Sequence, residues 1–199
     1  MKKDNFFVKL KNNIYNMSTF QKYVKDGFLS AILYALILSL ILGGIKGFYV
    51  GVQTRNQISE SVQEIRDPSN EFNIKNGNLM MDNLNNEELA NQLNTMGVII
   101  VPVMTLVNMV QHLVDMLLNC LMATAIAIII GTFMGLRMKV SAIYSLAIYA
   151  STLPSLILLP LSIVRPYIMF DVPFVIGTTI YMIFILKYIK NEIINNIKM

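Results

Sequence analysis

Residues 97–136 read GVIIVPVMTLVNMVQHLVDMLLNCLMATAIAIIIGTFMGL, and Asp115 is the one formally charged side chain among them. As a single helix this stretch would be about 60 Å long, roughly twice the thickness of a bilayer's hydrocarbon core. It is therefore two short spans, or one span with an outer extension. Two spans would put Arg137 and Lys139 outside; one span keeps them inside, where the positive-inside rule favours them. The spacing predicts an external or interfacial helix over 97–112, a transmembrane helix over 113–136 and a cytoplasmic loop over 137–140.

Working outward, residues 28–50 (FLSAILYALILSLILGGIKGFYV) contain the roughly 20 apolar residues that a span needs. Lys46 sits near the far end, where its stem can reach the interface. Gly43, Gly47 and Gly51 repeat every four residues, so on a helix they form one small-residue face for close packing. Residues 141–164 predict a third span. It holds Pro154 and Pro160, with Ser151, Thr152, Ser155 and Ser162 at hand to satisfy the freed carbonyls. Arg165 and Pro166 make an outer turn, across which Arg165 and Asp171 are candidates to pair. Residues 167–187 predict a fourth span, and 188–199 a basic cytoplasmic tail.

The flanks agree with this topology. Residues 1–27 carry six lysines against Asp4 and Asp26, with Phe6, Phe7, Leu10, Ile14 and Met17 at helical spacing. That pattern predicts an interfacial amphipathic helix whose lysines meet anionic lipid. Residues 51–96 are polar and mainly acidic, as an external cap would be. Ile58, Val62 and Ile65 predict a short helix ending near Asp67-Pro68. Asn76-Gly77 predicts a β-hairpin, and 86–94 a further helix. The expected fold is all-α and transmembrane: a four-helix polytopic bundle with an N-terminal interfacial helix, a small external cap and both termini cytoplasmic. The first apolar run is too long for a cleavable signal peptide.

Composition supports the same class. Of 199 residues, 55% are hydrophobic and 14% charged, against roughly a quarter charged in soluble domains. Mean hydropathy is +0.56. The net charge of +4 is clustered beside apolar runs, so it reads as membrane topology and not as nucleic-acid binding. The lone Cys120, inside an apolar run, predicts an inert buried thiol, with no disulfide and no zinc site.

The segments Gly27-Phe28-Leu29-Ser30-Ala31-Ile32-Leu33-Tyr34, Phe72-Asn73-Ile74-Lys75-Asn76-Gly77-Asn78-Leu79 and Tyr149-Ala150-Ser151-Thr152-Leu153-Pro154 together resemble the family called domain of unknown function 1189, a group of bacterial membrane proteins. The external region here is shorter than is usual in that family. The resemblance implies a multi-pass membrane protein with no assigned chemistry. Labels on some relatives imply a link to maltodextrin utilisation.

Thr105, Asn108, Gln111, His112, Asp115 and Asn119 recur at three- and four-residue steps and share a helix face. Read for function, Asn108, Gln111, His112, Asp115 and Asn119 are a proton-sensing or solute-contacting stripe; read plainly, they are the wet face of an outer helix. The fourteen methionines read as adaptable packing. No phosphate loop, catalytic triad or paired intramembrane catalytic groups can be read from the residues, so the sequence predicts no catalytic, cofactor-binding or metal residues. Three functions compete. The first is a non-enzymatic accessory or scaffold protein with a protein partner or a second copy. The second is a small transporter or channel component using the Asn108–Asn119 stripe, and the third a lipid-modifying enzyme using His112 and Asp115.

Overall fold

The computed structural model describes residues 4–66, 86–165 and 170–197. The β-hairpin expected around Asn76-Gly77 lies outside them; among the described residues all regular structure is helical. The elements are α1 (Phe6–Tyr15), a 3-10 turn (Met17–Thr19), α2 (Phe20–Lys25), α3 (Phe28–Arg66), α4 (Asn86–Phe133), α5 (Val140–Ala150), α6 (Thr152–Val164) and α7 (Asp171–Ile197). Phe28–Gln63, Asn91–Phe133 and Asp171–Asn195 are long and apolar enough to cross a membrane, and α5 with α6 makes a fourth if the bent pair is one span.

Several expected boundaries move. α3 does not stop at residue 50 but runs to Arg66, because nothing breaks it before Asp67-Pro68. α4 takes up 86–96, 97–112 and the next span without interruption. The separate outer helix expected over 97–112 is thus part of one 48-residue helix. Pro102 removes one backbone donor but does not end it, and propagation adds a bond for each residue fixed. α4 ends at Phe133 where Gly135, at φ 75°, turns left-handed. The Leu136 N–H then bonds the Gly131 carbonyl at 2.9 Å and the Gly135 N–H bonds that of Thr132 at 2.9 Å, a Schellman closure. At the other end of the chain, the expected tail is helical through Ile197.

The third expected span is two helices bent by 43°. Pro154 has no N–H for the Ala150 carbonyl, so the chain turns at Ser151 and Pro154 falls in the first turn of α6, where a missing donor costs least. Ser151 Oγ donates to the Ile148 carbonyl at 2.8 Å, Thr152 Oγ1 to Tyr149 at 2.7 Å and Ser162 Oγ to Leu159 at 2.8 Å. Ser155 Oγ, expected to do likewise, has no partner among the described residues.

The chain divides into two compact units, residues 1–43 with 109–199, and residues 44–108. In the first, small and apolar side chains at helical spacing form the core: Ala31 and Ala35 on α3, Cys120 and Ala127 on α4, Met182 and Leu186 on α7. In the second, α3 and α4 touch backbone to backbone. A Cβ on Gly47 would lie 2.7 Å from Thr105 Cα, and one on Gly51 would lie 2.9 Å from Val101 Cα.

Candidate functional site

A buried polar cluster lies in the first unit, and its N-terminal half was expected to be at a lipid surface. Asn5 caps α1 and Asn16 caps the turn that follows, each through a side-chain oxygen on a backbone N–H. These caps fold residues 5–25 back on themselves. Lys9, Asn13, Phe6 and Leu10 then share one face of α1, and that face packs inward. The expectation that Lys9 reaches lipid is corrected: it is 5% exposed. Its ammonium donates to Asp26 Oδ2 at 2.7 Å, to Ser30 Oγ at 2.9 Å and to the Tyr149 hydroxyl at 3.3 Å. Those three bonds match its three protons. The Tyr23 and Tyr149 rings lie 5.1 and 5.4 Å from the charge, within cation–π range.

One turn further on, Asn13 Nδ2 donates to Thr152 Oγ1 at 3.4 Å and the Tyr181 hydroxyl donates to the Asn13 carbonyl at 2.7 Å. Tyr34 and Thr152 share a hydroxyl–hydroxyl bond of 2.8 Å. α1, α2, α3, the α5–α6 break and α7 are thereby joined through side chains. Burial pulls the Lys9 ammonium down, but the bond to Asp26, together with Tyr149, outweighs it and holds the group above its ordinary value. Lys22 bonds both carboxylate oxygens of Asp4 at 2.8 Å, and that hydrogen bond holds Asp4 below the usual carboxylate range.

The residues singled out in the sequence have other surroundings. Asn108 Nδ2 bonds the Met104 carbonyl of its own helix at 2.9 Å, and Thr105 bonds that of Val101 at 2.8 Å. Gln111 is exposed, while His112 and Asp115 are half-buried. Asn119 Nδ2 donates to Asp171 at 2.7 Å. Asp171 is thus engaged by Asn119 and not by Arg165. It stands in the first turn of α7, where a carboxylate suits the helix dipole. Gly47 and Gly51 are buried against α4, and Gly43 is also buried. Cys120 is fully buried, its thiol 3.7 Å from the Ala147 carbonyl. Among the described residues no three His, Cys, Asp or Glu side chains come close enough to hold a metal ion.

The cluster joins Ser30 and Tyr34 to Tyr149 and Thr152, residues of two of the segments that carried the family resemblance. A family model described as a protein of unknown function, DUF1189, matches residues 7–85 and 80–186. The chain belongs to the DUF1189 family. No curated protein and no solved structure matches it. Within this DUF1189 chain, sequence reasoning missed the cluster because Lys9 was counted with the lysines that meet lipid and Asn13 was not singled out. The available signal was their four-residue step, in register with Phe6 and Leu10 on what had to be a buried face.

Proposed function

We propose that this DUF1189 protein is a non-enzymatic accessory or scaffold protein of the bacterial cytoplasmic membrane, with four spans and both termini cytoplasmic. Its partner is another membrane protein or a second copy of itself. The observation that carries this reading is the Lys9 cluster. The buried polar groups nearest to a reactive constellation are engaged with one another, and they brace the N-terminal segment against α3, α5, α6 and α7. The basic residues that follow the second and fourth spans in the sequence, Arg137, Lys139, Lys187 and Lys190 among them, support a cytoplasmic side there by the positive-inside rule. A role beside solute uptake, maltodextrins included, is carried by the family resemblance alone.

Two measurements test the proposal. With Cys120 replaced, single cysteines at Asn76, Lys139 and Lys198 are exposed to an impermeant thiol reagent in intact cells. Labelling at Asn76 alone is expected; labelling at Lys139 would overturn the topology. Light scattering of the purified protein in mild detergent should then give a protein mass above the 22.5 kDa monomer. A bare monomer with no companion would overturn the scaffold role.

A small transporter or channel component is the second reading, favoured by the break at Ser151. Ser155 lies four residues past it, Asn13 bonds Thr152 beside it, and Thr178 follows Gly177, which packs against Pro154; Asn13 Oδ1, Ser155 Oγ and Thr178 Oγ1 are buried with no partner among the described residues. Interrupted helices are how transporters expose polar groups to solutes. Solute or proton flux into proteoliposomes that falls on Ser155→Ala or Asp115→Asn would support it; flux equal to that of empty liposomes would dismiss it.

A further inference from the structure

α1 has two faces, and the Lys9 cluster uses only one. At about 100° per residue, Phe6, Lys9, Leu10 and Asn13 fall within about 100° of the helix circumference, and Phe7, Val8, Lys11 and Tyr15 within about 100° on the opposite side. The first set packs inward, while the second is exposed, Phe7 at 68% and Tyr15 at 81%. Two aromatics, a valine and a lysine on one outward stripe match a helix lying in the headgroup layer, where Tyr sits at the interface and Lys reaches phosphate. This face is turned by about 100° from the one that the apolar spacing suggested, and Phe7 belongs to both.

Charge indicates what covers the stripe. Residues 1–27 hold six lysines and two aspartates. Both aspartates are taken within the segment, Asp26 by Lys9 and Asp4 by Lys22. By count the segment's lysines exceed its aspartates by four, and Lys11, exposed on the stripe, is one of those that neither aspartate holds. A second run of exposed apolar side chains opens α3 directly after the turn at Gly27, with Phe28 and Leu29 and then Leu33 and Leu36. A protein partner would need acidic groups set beside an apolar groove, whereas an anionic headgroup layer supplies both features at the depth where α3 enters the membrane.

We propose that the outward stripe of α1, Phe7, Val8, Lys11 and Tyr15, is a docking surface for anionic phospholipid of the cytoplasmic leaflet. The inference rests on the membrane reading above and names the lipid partner of the N-terminal segment. The chain has no tryptophan, so Tyr15→Trp makes a single reporter in the full-length protein reconstituted in nanodiscs. Its emission is expected to be blue-shifted, poorly quenched by acrylamide and largely lost when the lipids are brominated near the glycerol. Leu36→Trp is the control for the span. If Leu36→Trp is quenched by mid-chain bromine while Tyr15→Trp emits as in water, the docking surface is overturned and the membrane reading stands. If neither responds to bromine, both are overturned. A Tyr15→Trp reporter shielded from acrylamide and from bromine alike means that protein covers the stripe, and this too overturns the proposal. In phosphatidylglycerol–phosphatidylcholine mixtures, Lys11→Gln is expected to lower the preference for retained phosphatidylglycerol about fivefold, as one lysine near an anionic surface should. An unchanged preference would overturn the anionic part.

Discussion

In residues 1–43 with 109–199, helices are tied together by the ends of side chains: Lys9 to Asp26, Ser30 and Tyr149, Asn13 to Thr152, and Tyr181 to Asn13. In residues 44–108, they are held by the absence of side chains, with Gly47 and Gly51 admitting the α4 backbone at Thr105 and Val101. The first unit gathers short elements and a broken helix that cannot satisfy all their backbone and polar groups alone, so specific bonds set its geometry. The second pairs two unbroken helices that satisfy their own backbone bonds except for the one that Pro102 removes; what remains to be matched is mainly shape, and glycine matches it. The polar unit should therefore be vulnerable to lost partners and the glycine unit to added atoms.

The sharpest way to break that comparison is Lys9→Met. It leaves the Asp26 carboxylate, with its side chain 14% exposed, without its cation and should cost about 3–5 kcal/mol. Adding Asp26→Leu should recover much of the loss, because a removed pair is less harmful than a broken one. Reversible unfolding in detergent micelles reads both, and a single variant as stable as the parent would refute the role of the cluster.

Next in size is Gly47→Ala. Its Cβ meets backbone and not a movable side-chain tip, so about 1–3 kcal/mol should be lost. Gly97→Ala is the counterpart in the same unit: its nearest neighbours are Arg55 Cγ at 3.7 Å and Ile58 Cγ2 at 3.8 Å. It should be neutral or gain up to about 1 kcal/mol from helix propensity. If the two alanines shift the thermal midpoint alike, glycine packing is not what holds that unit.

Tyr181→Phe should cost about 1 kcal/mol through the lost bond to the Asn13 carbonyl, detectable as a lowered midpoint without loss of fold. The smallest effect is that of pH. Lys9 is raised above its ordinary 10.5 on folding, so its contribution is full below that value and is lost as pH climbs through the folded one. Asp4 is lowered from 3.8, so its contribution is present above that value and is lost as pH falls further. Melting midpoints of the parent minus those of Lys9→Met should be level from about pH 5 to 10 and narrow above 10.5. Narrowing at neutral pH would contradict the assignment.

The sequence by itself determined the helical class and the segments apolar enough to cross a membrane. The three long apolar helices and the run interrupted near Pro154 could be read because each acts through its neighbours along the chain. So could the small-residue step Gly43, Gly47 and Gly51 and the buried Cys120. Only the tertiary structure decided where Lys9 and Asn13 point, which residue Asp171 bonds, and that α4 runs through a boundary drawn at residue 112. A lysine on an amphipathic turn suits water or lipid as well as a buried site. What selects the buried site is Asp26, Ser30 and Tyr149, separated from it by up to 140 positions, and no local pattern encodes partners at that distance.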